Sequence, residues 1–163
     1  MEFHVPGVAP VPSDVIFAKM IHLTFAALTP GELSHDKLLR AAKRWAAPRD
    51  GLLEYVFGRE KHSRPADPRR DEHFHCYMMF GKKVNIRNRR LTTVFDLIGQ
   101  GGRILHPEVQ SVGSKPGDRE RVIKYDMKDG DYTGELRHKI DDVRVHTQLP
   151  HATLNERLNT RKQ

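Results

Sequence analysis

The sequence predicts an α+β domain: an antiparallel sheet with helices on one face, forming a two-layer sandwich. Three observations carry this. Long apolar or alternating runs occupy 15–28, 52–61 and 72–81, each strand-like. Two helical patterns, near 30–47 and 119–128, interrupt the strands rather than alternate with them one for one. The chain has 163 residues, enough for one core and too few for two full-sized domains.

Residues 1–14 carry three prolines and a glycine and read as an extended arm. Val15 to Leu28 is apolar with β-branched and aromatic members, and Lys19 and His22 are too few for a surface helix; a mostly buried strand is expected. Thr29-Pro30-Gly31-Glu32 has the form of a capping box with proline at the first helical position. Leu38, Ala41, Ala42, Trp45 and Ala46 follow at helical spacing, and Pro48 stops the helix. Leu52 to Lys61 is a second strand, His62 to Asp71 a polar loop with two prolines, and Glu72 to Gly81 a third strand. The basic stretch from Lys82 leads into a short apolar piece and a Gly-rich turn at 99–103, before a further strand at 106–113. Asp118 is an N-cap candidate for a helix over Arg119–Lys128, which Gly130 closes. The domain is placed at 15–136. Residues 137–163 form a polar tail or linker, with a short helix near 153–159.

Composition narrows the function classes. Lys and Arg number 28 against 21 Asp and Glu, a formal net charge of +7, which favours an anionic partner and above all nucleic acid. No apolar window approaches the ~18 residues that span a membrane, and the N-terminus lacks the pattern of a signal peptide. Cys76 is the only cysteine, so a disulfide framework and a cysteine-based zinc site are excluded and an intracellular, reducing compartment is expected.

Ten histidines invite a search for a metal site. His73 and His75 lie two apart on a predicted strand, so their imidazoles point to one face and can share a divalent ion. Glu60, at the end of the preceding strand, is the candidate third ligand. Two imidazoles and a carboxylate leave coordination positions open, as catalysis requires. Without a thiolate the set suits Mn²⁺ or Mg²⁺ acting on phosphate, and Zn²⁺ also fits. The plainer alternative is a chance His-x-His on a solvated strand.

On the later helix, Tyr125 and Lys128 stand three apart and share a face, with Asp129 close behind as a candidate outer residue of the site. A phenol with a pKa of ~10 is a weak nucleophile at neutral pH. A neighbouring cation favours the phenolate, and an ion on the phosphate lowers the barrier further. The plainer alternative packs the Tyr125 ring against the core and leaves Lys128 in solvent. Arg64, Arg69, Arg70, Lys82, Lys83, Arg87, Arg89 and Arg90 flank the histidine strand and are candidate DNA-backbone contacts. Tyr77 shares the parity of His73 and His75 and is the candidate base-stacking ring, whereas Phe74 and Phe80 read as core.

These residues resemble a known family. Leu23-Thr24-Phe25, His73-Phe74-His75 and Tyr125-Asp126-Met127-Lys128 are similar, in that order, to motifs I, II and III of HUH endonucleases. The histidine pair before a single tyrosine resembles rolling-circle replication initiators (Rep). Gly58-Arg59-Glu60-Lys61-His62, Phe95-Asp96-Leu97, His106-Pro107 with Gln110, and Lys128-Asp129-Gly130-Asp131 resemble stretches of Rep proteins of circular single-stranded DNA viruses, above all the genomovirus and geminivirus lineages. The likeness covers roughly 15–135.

The resemblance implies a five-stranded antiparallel sheet of RRM-like topology. It implies Tyr125 as nucleophile, His73, His75 and Glu60 as metal ligands, and Lys128 as a catalytic lysine near the tyrosine or the phosphate. The implied activity is metal-dependent nicking and rejoining of single-stranded DNA at a stem-loop origin, through a 5′-phosphotyrosine, in a host nucleus. Host replication proteins and self-association of a longer protein are further implied partners. The Arg-rich 61–72 loop and the 99–103 insertion depart from the family pattern. No G-x-x-x-x-G-K-[ST] helicase motif is present. A reading from another class is an RRM-like single-strand-binding module that does not cleave.

Overall fold

The computed structural model describes residues 4–9, 14–137 and 140. Along the chain run β1 (Ile16–Leu28), α1 (His35–Ala46), a 3-10 turn (Ala47–Arg49), β2 (Leu52–Lys61), β3 (Glu72–Ile86), β4 (Leu97–Ile98), β5 (Ile104–Leu105), β6 (Glu108–Ser111), α2 (Asp118–Met127) and β7 (Tyr132–Glu135). Five strands form one sheet in the order β6-β1-β3-β2-β7, every neighbour antiparallel. β4 and β5 make a separate two-stranded ribbon, and the Gly-rich turn at 99–103 joins them. The architecture is the α+β sandwich that the sequence predicts, with a five-stranded antiparallel sheet.

β3 is central and buried on both faces. Its even-numbered residues Phe74, Cys76, Met78 and Phe80 join Leu23, Phe25 and Phe57 in a core covered by α1 through Leu38, Ala41, Ala42 and Trp45. Cys76 in this layer is fully buried, and burial pushes its thiol pKa well up. On the other face, Tyr77 and Val56 pack with Val122 and Ile123 of α2, and with Val112 and Tyr132. The two helices therefore lie on opposite faces of the sheet, not on one. Alternate side chains of a strand point to opposite faces, so a strand apolar at every position needs a cover on each side.

Several boundaries differ from expectation for local reasons. Thr29–Glu32 is a turn, closed by the Glu32 N–H donating to the Thr29 carbonyl at 3.0 Å, with Gly31 at φ 79°. That left-handed backbone cannot continue as a helix. The N-cap of α1 is instead Ser34, whose side chain accepts from the Lys37 N–H. Gly117, not Asp118, caps α2, and the Asp118 carboxylate accepts from the Lys115 N–H at 2.9 Å. β3 runs on to Ile86, so Lys82 and Lys83 are strand residues. The arm is anchored: Val5 is buried and Val8 bridges to Val112 beside β6. The helix expected near 153–159 lies outside the described residues. Among the described residues, no helix is long and apolar enough to cross a membrane.

Candidate metal and tyrosine site

The β2–β3 register sets Glu60 opposite His73 and Gly58 opposite His75. Glu60 Oε1 lies 3.3 Å from His73 Nε2, and Glu60 Oε2 lies 3.3 Å from His75 Nε2. One ligand atom from each of the three residues falls within 4.8 Å of the others. Donors sharing one ion at ~2.1 Å are roughly 3 to 3.5 Å apart, so the spacing fits a divalent cation. His75 Nε2 is buried without a hydrogen-bond partner, as a nitrogen meant for a metal would be.

The protonation states agree with that role. Burial pushes the His75 pKa down to about 2, and the charges of His22, His73 and Lys128 push the same way. Burial also lowers His73, against the raising effect of Glu60. Burial raises Glu60, but the Lys128 hydrogen bond and charge, with His73, outweigh it and leave the carboxyl below its ordinary value. At neutral pH the site is two neutral imidazoles and a carboxylate, and no proton must leave before a cation binds.

α2 delivers the tyrosine. The Tyr125 ring packs edge-on against the His75 ring, centroids 4.9 Å apart. Lys128 Nζ lies 4.0 Å from the Tyr125 ring centroid and 2.7 Å from Glu60 Oε2, so it bridges the phenol and the carboxylate. Burial raises the Tyr125 pKa, and the neighbouring Lys128 charge opposes this without reversing it. For Lys128, burial works against the charge, yet the Glu60 hydrogen bond and the phenol leave the ammonium pKa raised. The phenol is thus protonated in the resting chain. Asp129 lines a surface cleft with Arg59, Glu60, Lys61, Glu72 and Asp131; burial and the Glu60 charge raise its pKa.

Two anchors hold α2. At its start, Arg119 donates to both oxygens of the buried Glu54 at 2.7 Å, and the Tyr77 hydroxyl donates to the same carboxylate. Near its end, the backbone of Asp126 crosses directly over Gly58, where any Cβ would overlap the Asp126 carbonyl oxygen. Sequence reasoning missed two residues here, His22 and Asp126. Their side chains are fully buried beside His75, and His22 Nε2 lies 2.8 Å from Asp126 Oδ1.

The candidate DNA contacts divide. Arg64, Arg69 and Arg70 are exposed on the loop between β2 and β3, where the His62 ring lies 5.5 Å from that of His73. Lys82, Lys83 and Arg87 are exposed at the other end of β3; the β1 partners of His75 and Val84, Thr24 and Ala18, are six residues apart, which at ~3.3 Å each puts that end about 20 Å along the sheet from His75. Lys82 pairs with Asp50 at 3.6 Å, and Lys83 Nζ lies 4.4 Å from the centroid of the exposed Phe17 ring. Arg90 is exposed there too, 3.5 Å from Asp14. Two expectations are corrected. Arg89 is 2% exposed and reaches the Val109 carbonyl and Glu108, so it serves the interior rather than a backbone phosphate. Tyr77 has no exposed surface and its hydroxyl is spent on Glu54, so it cannot stack a base. Strand parity gave its face correctly, but α2 covers that face at Tyr77. Phe74 and Phe80 are core, as expected. No family model matches the chain, and no curated protein matches it in sequence.

Proposed function

We propose that this chain is a single-tyrosine, metal-dependent nuclease and strand-joining enzyme for single-stranded DNA, of the HUH type found in rolling-circle replication initiators. The observation that carries the reading is the edge-on contact of Tyr125 with His75, at 4.9 Å between centroids, with Lys128 spanning Tyr125 and Glu60. A nucleophile and an N/O ligand set on one face can together engage a single phosphodiester. The ion, Mn²⁺ or Mg²⁺, would sit among Glu60, His73 and His75 and withdraw charge from the phosphate oxygens.

The protein's own groups supply the rest. The Tyr125 oxygen forms a bond to phosphorus while the bond to the 3′ oxygen of the preceding sugar breaks. The phenol gives up its proton, the departing oxygen gains one, and the 5′ phosphate remains on Tyr125. Lys128 steadies the phenolate as it forms, offsetting the burial that raises its pKa. The reverse step joins strands without an external energy source, because the phosphotyrosine keeps the ester. A stem-loop origin as substrate and action in a host nucleus belong to the same reading.

The test is incubation with Mn²⁺ and a panel of hairpin oligonucleotides, followed by a denaturing gel. A covalent protein–DNA band is expected; it disappears with chelator and in Tyr125→Phe, which still binds the oligonucleotide. Cleavage by Tyr125→Phe would overturn the assignment. Binding with no cleavage under any metal would favour the non-cleaving single-strand-binding module.

A further inference from the structure

His22 and Asp126 lie beneath the site, and nothing in the chemistry above uses them. His22 comes from β1 and Asp126 from α2, next in sequence to Tyr125, and both side chains are wholly enclosed. The His22 ring stacks on that of His75, centroids 5.8 Å apart and planes 27° apart. A ring nitrogen of each histidine and an oxygen of Asp126 lie within 4.8 Å of one another. His75 Nε2 faces Glu60 at 3.3 Å. Its other nitrogen, Nδ1, is buried without a partner, and so is Asp126 Oδ2.

An imidazole that offers Nε2 to a cation carries its proton on Nδ1, and a buried N–H needs an acceptor. Ligand histidines ordinarily give that proton to a carboxylate, which fixes the tautomer and the ring's aim. We infer that Asp126, held through Oδ1 by His22, is the carboxylate that receives the Nδ1–H of His75 and aims Nε2 at the cation. The inference rests on the metal reading of Glu60, His73 and His75. His22 and Asp126 are positioning residues: His22 fixes the carboxylate, the carboxylate fixes the ligand, and Asp126 ties that ligand to the helix bearing Tyr125. A separate ion among His22, His75 and Asp126 fits less well. It would compete with the His22–Asp126 hydrogen bond and would require His75 to use both nitrogens at once.

The experiment is Mn²⁺ titration of the full chain by calorimetry, without DNA. One ion per chain is expected, with Kd weakened roughly 10- to 100-fold in Asp126→Ala and less in Asp126→Asn, whose amide oxygen still accepts. His22→Phe should weaken it as well. Two ions per chain would overturn the positioning role in favour of a second metal site. Affinity lost in Glu60→Ala but unchanged in both Asp126 variants would overturn this inference alone. Affinity indifferent to Glu60→Ala would overturn the metal reading and this inference with it. A measurement on the unaltered chain guards against variants that fail to fold. Long-range ¹H–¹⁵N correlation on the chain loaded with diamagnetic Mg²⁺ should find His75 with its proton on Nδ1, and a proton on Nε2 there would overturn the assignment.

Discussion

Gly58 decides how close the tyrosine helix comes to the sheet. The Asp126 carbonyl occupies the space a side chain at 58 would need, so any substitution pushes the end of α2 away from β2. Gly58→Ala is expected to cut covalent attachment to DNA by about 100-fold, since a displacement near 1 Å is enough for that. Overpacking should also lower stability by about 1–3 kcal/mol in denaturant titration. Oligonucleotide binding that persists while attachment falls would locate the defect at the tyrosine. At this scale most of the site was legible. His73 and His75 are two apart on a strand, Tyr125 and Lys128 three apart near a helix end, and each spacing defines a face. The His22–Asp126 pair was not legible, because its members are 104 residues apart and neither belongs to a short-range pattern.

The Glu54–Arg119 pair is the joint between strand and helix. Glu54 lies on β2, Arg119 in the first turn of α2, and the carboxylate also accepts from the Tyr77 hydroxyl and the Arg137 N–H. Burial favours the neutral acid, yet Arg119 and Tyr77 outweigh it and leave the pKa below its ordinary 4.5. A carboxyl depressed in the folded state contributes stability that is present above 4.5 and lost as pH falls through the folded value. Chemical unfolding followed from pH 5 downward should show an acid limb in the parent that is shallower in Glu54→Gln. Arg119→Ala at neutral pH leaves the buried carboxylate without its partner and should cost about 3–5 kcal/mol. The long elements were readable because alternation and helical periodicity persist over ten residues or more. β7 was not: Tyr132–Glu135 is four residues with a glycine inside, and it is a strand only because β2 offers a free edge. The Thr29–Glu32 turn shows the converse, a local pattern shared by turn and helix that Gly31 resolved toward the turn.

Over the described part of the molecule, the exposed cations that flank the histidine strand gather at two ends of the sheet. Arg64, Arg69 and Arg70 stand beside the ligand set, while Lys82, Lys83 and Arg87 stand at the far end of β3. The net charge was legible in the sequence; its distribution came only with the length of β3, whose polar last third hid the strand. For a short oligonucleotide centred on the cut, replacing each loop arginine by glutamine should lower the slope of log K against log[salt] by ~0.7. The same change at Lys82 or Lys83 should leave that slope unaltered until the oligonucleotide is long enough to reach them, as filter binding or anisotropy would report. The sole thiol of the chain, Cys76, is sealed in the middle of the central strand. An alkylating reagent can tag it only in copies whose β3 has come loose. The rate of tagging in native buffer therefore times the opening of the sheet, and ageing in air leaves no bridged pairs of chains while the sheet stays shut.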